Sequence, residues 1–353
     1  MRRGINSLIT AGILILTTIL IGGNDMSAND YGKRGNVVKI ILDSDTGTGT
    51  IGAEIDDGLA LLLALLSPEL DLIGVTEVHG NVNVDQGVAN ALRILELAGR
   101  DDVPVYKGAS RPLIHKWVRP GGIKEPYGGF SKLTPSSTGA IDFIIEKIME
   151  NPGQITLICV GPLTNIAMAL RKEPQIIQNV KELIIMGGAI DRPGNITSTA
   201  EFNFWVDPEA AKIVFHSNIQ NITLVPLDVT TKTLLTKQQL RRLKSNPVTE
   251  WLKVTVPPWI DKIKMEGCHL HDPLAVAIAI DRNLVKTEAM EVDVIDTSGP
   301  SYGQSVGYRE STVDRSLSRV EVALRVDVER FMNMLLRRLE KYQCEKSLSA
   351  ESY

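Results

Sequence analysis

From Val37 onward, short β-branched runs alternate with amphipathic stretches of helical period. "VVKIILD" reads as a strand buried on both faces, and "DDGLALLLALLS" as the helix that follows it. The order repeats in strand "LDLIGVTEV", helix "VDQGVANALRILELAG" and strand "VPVYKG". A loop rich in Gly and Pro runs from Ala109 to Ser137. Helix "GAIDFIIEKIMEN", strand "QITLICV", helix "LTNIAMALRKEP" and strand "KELIIMGGA" come next. After a polar loop, "DPEAAKIVFHS" is predicted helical and "ITLVPLDV" a strand. "TKQQLRRLKS" and "VTEWLKVTVPPWIDKIKM" supply further helices, the second broken at Pro257-Pro258. A helix opening at "HDPLAVAIAID" leads to strands "MEVDVIDTS" and "RVEVALRVD", and "VERFMNMLLRRLEKY" closes the chain as a helix. Repeated strand–helix units predict an α/β fold, a single-domain open and mainly parallel sheet with helices on both faces. No internal repeat, low-complexity segment or linker divides residues 37–345, so they are read as one domain, with 346–353 as a C-terminal tail.

Residues 1–36 have a different pattern. Arg2-Arg3 precede "LITAGILILTTILIGG", a stretch without charge, and polar "NDMSANDYGKRGN" follows. A basic start and a short apolar run resemble a signal peptide or an uncleaved anchor, although neither an Ala-x-Ala cleavage site nor a lipobox cysteine is present. Membrane association is therefore expected only through residues 1–25, with export or anchoring if they are translated. A start at Met26 would make the protein cytoplasmic.

A charged fraction of 23% is ordinary for a globular chain. The net charge of −4 excludes the basic excess that a nucleic-acid partner requires. Cys159, Cys268 and Cys344 are widely spaced and fit neither a disulfide framework nor a zinc site, so buried, unreactive thiols are expected.

In open α/β sheets, ligands bind beyond the carboxyl ends of the strands, and the informative polar residues fall there. Asp43 and Asp45 end the first strand, His79 to Asn81 the second and Val160 to Asn165 the fourth. "GGAIDRPGNITSTAEFN" follows the fifth, and His271-Asp272 open a late helix. Asp43, Asp45, Asp56 and Asp57 lie within fifteen residues of one another. Such carboxylates repel one another unless a cation neutralises them, and a ligand set of oxygens alone suits calcium or magnesium. Helix capping by Asp56 or Asp57 accounts for one of the four at most. Asp272 before Pro273 has the same capping grammar, as does Asp207 before Pro208. Asn195, Glu201 and Asn203 offer the donors and acceptors that a polyhydroxylated sugar requires. A rival reading takes "ILDSDTGT" as the nucleophile motif of haloacid-dehalogenase-type phosphatases. Against it, Asp56-Asp57 open the very next helix, and no downstream Lys motif for phosphate is apparent.

The series Asp-x-Asp-x-Gly…Asp-Asp, "GN", "GPLTNIA", "MGG…GN…AEFN…DPEAA" and "HDPLAVA" resembles the inosine–uridine-preferring nucleoside hydrolases, from about Val37 to Tyr342. Those enzymes split ribonucleosides into ribose and a free base on a Rossmann-like core. The resemblance implies a calcium site made by Asp45, Asp57, Asp272 and the carbonyl of Val160, with Asp45 also the base that activates a metal-bound water. It further implies that Asp56, Asn81, Asn195, Glu201 and Asn203 hold the ribose, that His271 is the general acid, and that Asp43 supports the site from behind. Trp259 is a candidate for stacking on the base. A homodimer or homotetramer is implied too. A catalytically silent nucleoside- or ribose-binding relative is the alternative. One departure stands out: "TGTIGAEI" separates Gly47 from Asp56, longer by several residues than the family pattern. Its Gly and Thr content predicts a flexible outward bulge beside the metal, able to reshape the pocket mouth or to misplace Asp57.

Overall fold

A computed structural model describes residues 37–310 and 317–342. The apolar leader, Cys344 and the C-terminal tail lie outside the described residues. Eleven strands are formed among those described: β1 (Val38–Ser44), β2 (Leu70–Glu77), β3 (Val105–Lys107), β4 (Ile155–Cys159), β5 (Glu182–Met186), β6 (Ile222–Val225), β7 (Leu234–Thr236), β8 (Gly267–His269), β9 (Val285–Val294), β10 (Ser305–Tyr308) and β11 (Arg319–Val326). Nine of them form one sheet in the order β10-β9-β11-β6-β5-β4-β1-β2-β3. From β11 to β3 the pairing is parallel, and β9 and β10 add an antiparallel edge. β7 and β8 form a separate antiparallel pair.

Alternation along β1 divides the core. Ile40 and Leu42 pack on one face with helices Asp56–Leu65, Val84–Leu97, His271–Ile280 and Val328–Glu340. Ile41 faces helices Ala140–Glu150, Thr164–Lys172 and Pro208–Phe215 on the other. Helix Asp56–Leu65 is buried all round, with Leu59, Leu61, Leu62 and Leu63 at 0% exposure. A helix apolar on every side needs cover on every side, which the sheet and helix His271–Ile280 provide. Each such leucine contributes roughly 1.5–3 kcal/mol by leaving water.

Most elements predicted from the pattern are present, including the break between Pro247–Thr255 and Pro257–Ile263. The misses are short or polar. β7, β8 and β10 have three or four residues each, too few to show a period. β9 begins five residues before the predicted "MEVDV", through Lys286, Thr287 and Glu288, because an edge-side segment tolerates exposed polar residues. Cys159 and Cys268 are buried free thiols, as expected. Among the described residues no helix is long and apolar enough to cross a membrane.

Strand order reverses at β1, whose neighbours are β2 and β4. Such a reversal opens a crevice at the carboxyl ends of the two diverging strands. β1 delivers Asp43 and Asp45 there, and β4 delivers Val160, whose N–H still donates to the Asp43 carbonyl at 2.8 Å.

Candidate active site

Two buried helices begin at this crevice, and each supplies carboxylates from its first turn. Asp56 and Asp57 open helix Asp56–Leu65, yet neither caps it. Asp56 Oδ2 instead accepts from the backbone N–H groups of His271 and Asp272, at 2.9 and 3.1 Å, and so caps the neighbouring helix. The capping alternative for Asp272 is thereby corrected. Leu270 is the N-cap residue, Asp272 lies inside the first turn and Pro273 follows it. Oxygens of Asp56, Asp57 and Asp272 lie within 4.8 Å of one another, all three residues buried. Asp207, by contrast, does cap its own helix, accepting from Ala210 N at 3.0 Å.

Asp45 adjoins the trio, its carboxyl hydrogen-bonded to that of Asp57. Its Oδ2 accepts from Asn81 N at 2.6 Å, while its buried Oδ1 has no hydrogen-bond partner. Asn81 Nδ2 donates to both Asp57 oxygens at 3.2–3.3 Å. Burial, and then the neighbouring charges, push the Asp45 and Asp56 carboxyls up to about 8 and raise Asp57 and Asp272 well above the carboxylate range. Among the described residues none of the four is in a salt bridge. Buried, mutually repelling oxygens with one orphaned acceptor fit a hard divalent cation.

The other expected residues assemble around this cluster. Asn81, Val160, Asn195, Glu201, Asn203 and His271 line one small cavity together with Asp56 and Asp272. Val160 O accepts from Asn203 Nδ2 at 2.9 Å. Glu201 caps the short helix Phe202–Val206 and accepts from three backbone N–H groups, of Gly188, Asn203 and Phe204. Asn195 Oδ1 accepts from Phe202 N at 2.9 Å, closing the polar loop over the cavity. His271 touches Thr230 Oγ1 through Nδ1 at 2.7 Å, and burial, with His269 and Arg192 adding to it, lowers its pKa to about 3. Its imidazole is therefore neutral at ordinary pH. Asp43 lies behind the cluster, where Thr76 Oγ1 and Asn165 Nδ2 donate to Oδ1 at 2.5 and 2.8 Å. Trp259 lines a separate, adjoining cavity.

Two acidic residues escaped the sequence reading. Glu77 ends β2 as Asp43 ends β1, and accepts from Thr46 N and Oγ1 at 3.0 and 2.7 Å, fixing the turn after Asp45. Its strand-end position was the available signal. Glu54, inside the inserted segment, lines the same small cavity beside Asp56. No spacing rule points to it.

The insertion is not the loose bulge its composition suggests. Thr48 Oγ1 donates to Ile55 O at 2.6 Å and accepts from Gly58 N at 2.9 Å, so one threonine ties both ends and serves the first turn of the helix. Gly49 and Gly52 take positive φ values of 111° and 79° where the chain reverses. Tyr127 N donates to Gly49 O at 2.9 Å, and Lys262 Nζ to Gly52 O at 2.8 Å. Asp57 is thus held in place rather than displaced.

Gly80 lies so close to Asp45 that a Cβ there would overlap Oδ2. Gly80→Ala is expected to lower kcat/KM for the reaction proposed below by about 100-fold through displacement of Asp45. Near-normal turnover in a steady-state assay would show that Asp45 has no fixed position to lose.

Known proteins share both sequence and fold. Residues 40–333 match the family described as inosine-uridine preferring nucleoside hydrolase. The enzyme of that description from Crithidia fasciculata is 37% identical over 320 residues, which is 86% of this chain and 98% of the relative. A solved plant nucleoside hydrolase superposes with a TM-score of 0.78 at 32% identity, covering 86% of this chain and 99% of that one. The purine-preferring ribonucleoside hydrolase from Gardnerella vaginalis gives 0.75 at 35% identity, over 86% and 98% of the two chains.

Proposed function

Because the chain belongs to the inosine–uridine-preferring nucleoside hydrolase family, and is thus a hydrolase of nucleoside N-glycosidic bonds, we propose that it works with calcium and with Asp45 as its base. The phosphatase alternative falls with that membership. One observation supports the metal reading most directly: four buried carboxylates meet at the strand crevice with no salt-bridge partner among the described residues. Asp45, Asp57, Asp272 and the Val160 carbonyl would hold the calcium ion. When bound, calcium neutralises the cluster, orients the ribose diol and acidifies the attacking water.

In this reading Asp45 removes the water proton with its orphaned Oδ1. Asp56 and Asn81 bind ribose hydroxyls, while Asn195, Glu201 and Asn203 hold the rest of the sugar. As the glycosidic bond breaks, positive charge grows on the ribosyl ring, and the surrounding carboxylates stabilise it. His271, which the resemblance makes the general acid, lies on the same cavity wall as a neutral imidazole, so it would hydrogen-bond the departing base rather than arrive already protonated.

Incubation with inosine and uridine, followed by measurement of free ribose, tests this. Ribose is expected from at least one of the two, abolished by a calcium chelator and restored by added calcium. Absence of ribose under every condition would sink the proposal, and nucleoside binding by calorimetry would then favour the silent relative.

A further inference from the structure

His271 is fixed at two points. Its backbone N–H donates to Asp56 Oδ2, and its ring nitrogen Nδ1 lies 2.7 Å from Thr230 Oγ1. Thr230 ends the short helix Leu227–Thr230 that follows β6, and it is fully buried. The next residue shows the usual bond of a helical threonine: Thr231 Oγ1 donates to Leu227 O, four residues back, at 2.7 Å. The Thr230 hydroxyl is instead paired with an imidazole 41 residues further along the chain. Both sides of that contact are anchored. Asp228 accepts from Ile190 N and Asp191 N at 2.9 and 2.8 Å. Thr233 Oγ1 bridges the two segments, donating to Thr230 O at 2.7 Å and to Leu270 O at 3.2 Å.

A neutral imidazole carries one ring proton, and the hydrogen bond made by one nitrogen decides which of the two holds it. With Nδ1 engaged, Nε2 is the nitrogen of this cavity-lining residue left for a ligand, and it has no hydrogen-bond partner among the described residues. Resting on the nucleoside hydrolase reading above, with His271 beside the departing base, we infer that Thr230 is a positioning residue: its hydroxyl donates to His271 Nδ1 and so keeps the ring proton on Nε2, facing that base. The base leaves with the electron pair of the C1′–N bond, so negative charge collects on its nitrogens and oxygens. An Nε2–H donor stabilises that charge through a hydrogen bond, and no proton has to leave the ring. In the opposite tautomer Nε2 is an acceptor and repels the same atoms.

Thr230→Val keeps the buried shape and removes the hydroxyl. For the better of inosine and uridine, kcat/KM is expected to fall by about 10- to 100-fold. For 4-nitrophenyl β-D-ribofuranoside, whose leaving group departs without a donor, it should change less than about threefold, and Thr230→Ser should recover most of the nucleoside loss. A structural defect or a damaged metal site would lower both substrate types alike, so an equal loss overturns the assignment, as does an unchanged rate with the nucleoside. Long-range proton–nitrogen NMR of the imidazole reads the same contact without turnover. The proton is expected on Nε2 in the unaltered protein and distributed over both nitrogens in Thr230→Val. A proton on Nδ1 in the unaltered protein overturns the inference. If that protein releases ribose from no nucleoside, the hydrolase reading fails, and the NMR result alone decides the role of Thr230.

Discussion

Asp45→Ala is expected to lower kcat/KM for ribonucleosides by about 10³-fold or more while leaving the protein folded. General-base removal alone is worth roughly 10²–10⁴-fold. Loss of an oxygen from the proposed metal site would add to that. The expected stability change is small for a reason specific to this site. Asp45 is buried against Asp57 and raises the cost of ionising it, so removing the Asp45 carboxyl relieves repulsion. Against this relief stands the Asn81 N–H, which loses its acceptor at 2.6 Å, a cost of about 1–3 kcal/mol. Asp45→Asn retains an acceptor for Asn81 N–H yet lacks a basic oxygen, and it should be nearly as inactive as the alanine variant. Circular dichroism melting beside steady-state ribose release checks both. Activity within tenfold of the unaltered protein in Asp45→Asn would refute the assigned base.

How much of this was legible in the sequence follows from which interactions are local. The β1–β2 and β4–β5 repeats were readable because each strand is buried on both faces and each helix shows its period. The strand ends then located Asp45, Asn81 and Val160 at one edge without any knowledge of side-chain contacts. What could not be read was the pairing across distance. Asp56 looks like a cap for its own helix, and only the packing of Asp56–Leu65 against His271–Ile280 turns it into a cap for a helix that starts 215 residues later. Composition misled at the insertion. Gly and Thr are the residues of flexible loops, but Thr48, at one end of the segment, is buried and bonded to Ile55 and Gly58 at the other. Glu54 was hidden for the same reason, since it comes beside Asp56 only where that loop returns.

In the absence of calcium, the melting temperature is expected to fall as pH rises from 5 to 8, and saturating calcium should remove most of that fall. Asp45 and Asp56 bind their protons up to about pH 8 in the folded chain, against an ordinary value of 3.8. Between those limits the native state holds more protons than the unfolded one. Stability therefore declines as pH rises through the window, and would be greatest below the unfolded value. In the proposed site calcium would be held by Asp45 beside Asp56, so it would replace the protons as the source of neutralisation and bind the native state alone. Its affinity must then tighten with rising pH, and its stabilisation should be larger at pH 8 than at pH 5, by at least several degrees. Differential scanning fluorimetry with chelator or with calcium at each pH measures both trends. Asp57→Asn supplies the internal control: it removes one charge from the cluster, so the calcium-free decline should flatten and the calcium response should shrink together. A melting temperature independent of pH without calcium, or a calcium shift of equal size at both ends of the range, would show that protons and the cation do not compete for this cluster.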